Sequence, residues 1–435
     1  MGERADNSAG WVVRRAAKAA VAGALCAAGA RWLVRSAARR SAGGTRILIL
    51  SYHAPTAAFD EAARRMLPSL LVSVETLRRQ LQQLAREREI VSLDEACGRL
   101  AAERAPAGGA SAPDVAVVTF DDGYAGVHEE ALSVLRDLRV PATVYVPTGF
   151  IGTTHRLLHD RLFATLSELR RRQLLPQAAG LPGTPQALLD ACADEGPAST
   201  LDALIARLPH DALLELAAAL ERRLGMDERD LPDGTRLMGW DDLAALQAAG
   251  VDVGGHTVNH AVLANVSLVR ARAEIQGCHD QIAEHLGEPP RHFAYPNGYY
   301  SPALRRLVAE CGFASAVTTD DLENRRGGDL FTLKRKTLWE NTTLGATGYS
   351  SAVAACNLDG VFGALGWQRP ATGERPDPGE EERRADDRAA REEDAEVEAR
   401  RAAGAEHRTG RQRGPPVRPV TSHSAGMGEG PPSSR

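Results

Sequence analysis

The sequence predicts an α/β chain whose parallel sheet curls into a barrel, with a helical insertion and a disordered C-terminal tail. Two observations carry the barrel. From Arg46 onward, short apolar runs alternate with stretches of helical periodicity, as in repeated βα units. The clearest run, Val115-Ala116-Val117-Val118-Thr119-Phe120, is continuously apolar, which suits a strand covered on both faces. So many βα repeats in one chain favour a closed parallel sheet.

The elements follow in order. Ile47 to Leu50 is the first strand and ends in Ser51-Tyr52-His53. Leu77, Leu81 and Leu84 mark a helix over Val74 to Arg88. After Ile90-Val91 comes a helix from Asp94 to Glu103, then an Ala-Pro-Gly-rich loop over 104–113. The strand Val115 to Phe120, a helix from His128 to Leu138 and a strand from Ala142 to Val146 complete a βαβ unit. Residues 152–235 break the rhythm as a long Ala/Leu/Arg-rich helical stretch, read as an insertion that covers or flanks the barrel. The rhythm resumes with a helix from Asp241 to Ala249, a strand at Val251 to Val253, a helix from Leu268 to Leu286 and a strand at Phe293 to Tyr295. A helix from Pro302 to Glu310, a strand at Ala314 to Thr318 and a last strand near Thr332 to Leu338 close the domain.

Three parts result: a basic, Ala-rich segment over 1–45, a domain over 46–366 holding the insertion, and a tail over 367–435. From Ala371 onward the sequence has no Leu, Ile, Phe, Tyr or Trp. Such a segment cannot bury enough apolar surface to offset its ordering entropy, so the tail is expected to be disordered. In the first part, only twelve uncharged residues separate Lys18 from Arg31, too few for a span of about 20. The segment reads as a signal h-region, a basic helix on an anionic membrane through residues 11–40, or a solvated helix. This leaves a cell-envelope or membrane-associated location open beside a cytoplasmic one.

Composition excludes some classes. A formal charge of −5 over 435 residues offers no basic field for nucleic acid. The six cysteines include no Cys-x-x-Cys pair, which argues against a thiolate zinc site and a dense disulfide framework.

The chemistry concentrates at strand ends. Asp121 and Asp122 stand where the buried strand 115–120 stops, and neighbouring strand residues point to opposite sides, so the two carboxylates can take different roles. One can bind a cation while the other accepts a proton from water. His256 and His260 follow the strand at 251–253, and two histidines four apart on a helical turn can serve one ion. A second such pair, His155 and His159, follows no strand, and context favours His256 and His260. Asp122, His256 and His260 form a three-ligand set that suits zinc; cobalt, nickel or iron would also bind. Tyr124, Tyr295 and Trp240 can stack on a ring-shaped ligand or pack beside the buried strands. Asp320 or Asp321 could support a site histidine from behind.

Thr119-Phe120-Asp121-Asp122-Gly123-Tyr124, His256-Thr257-Val258-Asn259-His260 and Phe293-Ala294-Tyr295-Pro296-Asn297-Gly298 resemble, in order, the first three motifs of the polysaccharide deacetylases, the NodB homology domain of carbohydrate esterase family 4. The resemblance covers roughly 46–340 outside the insertion. It implies a distorted (β/α) barrel of about seven units with the metal at the strand ends. It also implies Asp121 as general base, Asp122, His256 and His260 as metal ligands, and a backbone N–H near Asn297 that holds an oxyanion. Leu50-Ser51-Tyr52-His53 is similar to the Tyr-His segment of a permuted branch that includes poly-N-acetylglucosamine deacetylases, where this histidine is the general acid.

Two features of the common pattern are missing: the arginine of the third motif, since Arg291 is out of register, and a C-terminal catalytic histidine, since Leu333-Lys334-Arg335-Lys336 has none beside it. The implied function is metal-dependent removal of acyl groups from the nitrogens of an N-acylated amino-sugar polymer or oligosaccharide. A hydrolase of another amide or ester on the same fold, and a non-catalytic glycan-binding envelope protein, are the alternatives.

Overall fold

The computed structural model describes residues 9–42, 46–102, 114–174, 194–367 and 372–377. Seven parallel strands form the barrel: β1 (Arg46–Tyr52), β2 (Val115–Phe120), β3 (Ala142–Val146), β4 (Val251–Gly255), β5 (His292–Ala294), β6 (Ser315–Val317) and β7 (Arg335–Thr337). Hydrogen-bonded neighbours run β7-β1-β2-β3-β4-β5-β6. The ring closes through one bridge between Val317 of β6 and Leu333, two residues before β7. This is the distorted barrel the motifs imply, and the distortion lies at that seam.

Side-chain parity sorts the two faces. Ile47, Ile49, Val115, Val117, Tyr145, Ala294, Val317 and Leu333, drawn from six stations round the ring, pack into one interior cluster. The helix Leu93–Ala101 closes it with Leu93, Ala96, Cys97 and Leu100. The alternate residues Leu48, Leu50, Ala116, Val118 and Phe120 face outward and pack beneath the surrounding helices. Both faces are therefore buried, which is why β1 and β2 read as unbroken apolar runs. The helices match their sequence signals. Val74–Glu87 is capped by Ser73 Oγ, which accepts from Thr76 N at 3.1 Å, and it buries Leu77, Leu81 and Leu84. Leu268–Leu286 is capped by Ser267 and ends at Gly287, whose φ of 80° is the left-handed stop that glycine supplies.

Three helices arise from the stretch 152–235. α4 (Leu158–Arg171), α5 (Pro197–Arg207) and α6 (His210–Leu224) share an apolar cluster of their own, to which Leu67 and Val262 of the surrounding loops contribute. The N-terminal helices α1 (Ala9–Ala27) and α2 (Ala30–Ala42) pack beside α8 (Ser351–Leu358) and α9 (Val361–Ala364). Of the stretch 367–435, expected to be disordered, Trp367 and 372–377 are the residues the structure describes. Trp367 stacks on Phe362, and Gly373 N donates to Asp320 at 2.6 Å.

In β4, Gly254 allows adjacent strands to approach. A methyl group there would lie 2.7 Å from the His292 carbonyl oxygen and 2.6 Å from the Tyr145 ring. Gly254→Ala should lower stability by about 1–3 kcal/mol through overpacking, measured as a shift in the urea midpoint at unchanged slope.

Candidate metal and catalytic site

Strand parity delivers the first motif. Val115, Val117 and Thr119 point into the barrel, and Asp121, next in the series, stands above them at its C-terminal mouth. There Arg335 of β7 meets it in a bidentate pair, Nη1 to Oδ1 at 2.7 Å and Nη2 to Oδ2 at 2.6 Å. Arg335 is fully buried inside the ring. It also donates from Nε to the Thr318 carbonyl at 2.8 Å and from Nη1 to Thr119 Oγ1 at 3.1 Å. Burial opposes charge on the Asp121 carboxyl, but the guanidinium outweighs it and holds the group below the usual carboxylate range. The arginine absent from the third motif is thus supplied by the last strand.

Asp122 breaks the parity. Its φ of 70° turns the chain into the left-handed region, and its carboxylate points away from Arg335 toward the histidines. Oδ1 lies 3.1 Å from His260 Nε2 and 3.4 Å from His256 Nε2. His256 follows β4, and its Nδ1 is bonded to the Ala294 carbonyl at 2.7 Å, which fixes the ring and leaves Nε2 turned to Asp122. The expected helical turn is corrected: residues 256–260 are a loop with positive φ at Thr257 (67°) and His260 (51°). Glu274, buried on the helix Leu268–Leu286, holds that loop by accepting from Val258 N at 3.1 Å, Asn259 N at 2.8 Å and Asn259 Nδ2 at 2.9 Å. Four of the six non-glycine residues with positive φ among those described, Asp122, Thr257, His260 and Asn297, fall in the three motifs, the clustering of backbone strain expected of a functional site.

His53, at the end of β1, brings Nε2 to 3.9 Å from Asp121 Oδ2. Its Nδ1 is buried without a hydrogen-bond partner, and burial pushes the imidazole below its ordinary pKa despite the nearby Asp122 and Asp121.

The pair His155 and His159 needs correction in half. His155 stays at the surface beside Glu228, but His159, on the first turn of α4, enters the site. Its Nε2 lies 3.7 Å from Asp122 Oδ2 and 2.8 Å from the Tyr124 hydroxyl, and its ring is 5.2 Å from that of His260. Asp122, His159 and His260 offer ligand atoms all within 4.8 Å of one another. Asp160 accepts from Tyr124 at 2.9 Å; burial pushes its carboxyl up to about 8, and the charge of Asp122 adds to the rise against the Tyr124 bond. Burial lowers His159 to about 3, so it presents a neutral imidazole. Its only sequence signal was the His-x-x-x-His spacing, without a strand before it.

The ring-stacking candidates are also corrected. Tyr124 and Tyr295 are fully buried, Tyr124 bonded to His159 and Asp160, and Tyr295 donating to the Phe331 carbonyl at 3.1 Å. Trp240 stacks on His285 with ring centroids 4.0 Å apart. Asp320 accepts from Gly373, and Asp321 pairs with Lys336, so neither supports a site histidine. Arg291 pairs with Asp94 at the surface. Asn297 is exposed in the turn after β5, with φ 57°, and its carbonyl accepts from Thr319 Oγ1 at 3.2 Å.

A carboxylate and imidazoles converging beside a second, arginine-paired carboxylate, at the C-terminal mouth of a parallel barrel, define a hydrolase-type site with a donor set suited to a divalent ion. The model of the family described as polysaccharide deacetylase matches residues 108–316. That match supports a deacetylase-type hydrolase activity on sugar polymers. Among solved structures, the Streptococcus pyogenes deacetylase PplD in complex with acetate is 18% identical, covering 68% of this chain and 94% of that one, with a TM-score of 0.44. IcaB from Ammonifex degensii is 20% identical over 72% of this chain and 98% of its own, with a TM-score of 0.44. The BpsB deacetylase domain from Bordetella bronchiseptica is 17% identical over 67% and 96%, with a TM-score of 0.40. No curated protein matches the chain.

Removing the guanidinium should leave a buried carboxylate unpaired. Arg335→Met is expected to cost about 3–5 kcal/mol of stability at neutral pH, as for breaking a buried ion pair. The loss should shrink as pH falls and Asp121 takes up a proton, because a carboxyl held low stabilises the fold only while it is ionised. Urea unfolding of both proteins at neutral and acidic pH checks this; an equal loss at both would refute it.

Proposed function

We propose that the chain removes N-acyl groups, acetyl in particular, from an amino-sugar polymer of the poly-N-acetylglucosamine type, with a divalent ion at Asp122, His256 and His260. The observation that supports this best is the division of labour at the first motif. Asp121 is paired with Arg335, whereas Asp122 faces the imidazoles. The arginine answers the strongest argument for a non-catalytic glycan-binding protein, which was its absence from the third motif.

A zinc ion, or cobalt, nickel or iron, would polarise the acyl carbonyl and bring the pKa of water toward about 7. Asp121 takes the proton from the attacking water, and Arg335 keeps that carboxylate ionised and aimed. A backbone N–H near Asn297 steadies the developing oxyanion. His53, beside Asp121, gives a proton to the departing amine. His159 adds a third imidazole from the insertion, its Nε2 3.7 Å from Asp122 Oδ2.

The test is acetate release from chito-oligosaccharides by the full chain, after chelation and again after adding zinc or cobalt. Asp121→Asn should abolish release and still bind metal, whereas Asp122→Asn should lose both. Full activity in Asp121→Asn would refute the roles. His159→Ala should weaken metal binding by about 10–100-fold, as for other groups that support a ligand set, read by competition with a chromogenic chelator. Arg335→Lys, which keeps the charge but loses the fork, should move the acid limb of the pH–rate profile upward, since Asp121 would then protonate at higher pH.

A further inference from the structure

The N-terminal helices carry a face that neither the barrel nor its chemistry accounts for. α1 already buries one side, with Ala22 and its neighbours against Val353, Cys356 and Phe362. Its other side should be polar if it met water. Instead, from Ala17 to Ala27 every exposed position is alanine or valine. Large apolar side chains continue this surface: Val13 is 64% exposed, Trp32 68%, Leu33 57%, and, next to α2 through α9, Leu365 47% and Trp367 57%. These are five of the eleven large apolar residues that stand exposed among those described, gathered at one end of the molecule.

The charge of the segment points to what covers it. Residues 9–42 hold seven Arg or Lys and no Asp or Glu, in a chain whose overall charge is −5. Arg31 and Arg35 are taken by Glu87, Asp359 and Asp114 of the barrel, while Arg14 is exposed. A second copy meeting the face symmetrically would set this basic segment against itself. An anionic bilayer complements it, and tryptophans at the edge of an apolar face suit the headgroup boundary. Among the described residues no single helix is long and apolar enough to cross a membrane; α1 and α2 pass that test only together, bent by 68°. We infer that α1, α2 and the Leu365–Trp367 corner form an interfacial docking surface for an anionic lipid bilayer. The segment lies on the bilayer and does not span it. Arg35 pairs with Asp114, immediately before β2, so α2 sits at the N-terminal ends of the strands, opposite the catalytic mouth.

The test is flotation of the full chain with vesicles of phosphatidylcholine alone or mixed with phosphatidylglycerol. The wild type should float with the mixed vesicles, less so as salt rises. The double variant Trp32→Ser/Leu33→Ser should bind at least about tenfold more weakly, given the apolar area lost, with its thermal unfolding unchanged because both residues are exposed. Absence of flotation, equal flotation with both vesicle types, or undiminished flotation of the variant would overturn the proposal. So would a wild-type dimer in light scattering that the variant converts to monomer without any vesicle binding.

Discussion

The buried pair between Asp121 and Arg335 is the constraint on which the rest of the structure turns. A charged guanidinium inside an otherwise apolar barrel is tolerated only because every side of it is met: a bidentate carboxylate above, the Thr318 carbonyl and the Thr119 hydroxyl beside it. That requirement fixes three strands at once. β2 must end where its inward parity presents Asp121, β6 must turn its carbonyl inward at Thr318, and β7 must enter the ring in register with β1, Ile49 opposite Arg335. With one carboxylate so committed, the next residue is free to turn the other way, and the left-handed backbone at Asp122 achieves that reversal within one step.

Much of this was legible in the sequence, for reasons that can be stated. β1 and β2 announced themselves because burial on both faces leaves no polar alternation, and the helix Leu268–Leu286 because a serine cap and a terminal glycine bracket its periodicity. The strand-end positions of Asp121, Asp122, His256 and His260 followed from the same logic. The three-dimensional neighbours of those residues did not. Arg335 lies 214 positions from Asp121, on a three-residue strand too short for any periodicity to register. Glu274 looks like an ordinary helical glutamate until the loop 256–260 is seen to hang from it. His159 was visible as half of a spacing motif, but helical spacing alone does not say which face meets the barrel.

The aromatic candidates failed for an instructive reason. Tyr124 and Tyr295 sit within motifs, but position in a motif does not fix which way a ring points. Both rings point into the core, and their hydroxyls are occupied by His159, Asp160 and the Phe331 carbonyl. Their contribution is to hold other groups in place, as expected when a buried tyrosine must satisfy its polar end. The matched family span, residues 108–316, contains the motif carboxylates and histidines but neither His53 nor Arg335. The barrel recruits those two from outside it because β1 and β7 are neighbours in the ring and far apart in the chain.

The single bridge that closes the ring joins Val317 to Leu333, two residues ahead of Arg335. The edge that closes the ring and the arginine partner of Asp121 therefore share one short stretch of chain. Local opening at this edge, far short of global unfolding, would loosen the guanidinium and leave Asp121 to recapture a proton. Heat or denaturant would then unpair Asp121 by unzipping one edge of the wall while most of the helices and the cluster of Asp122, His256 and His260 stood intact.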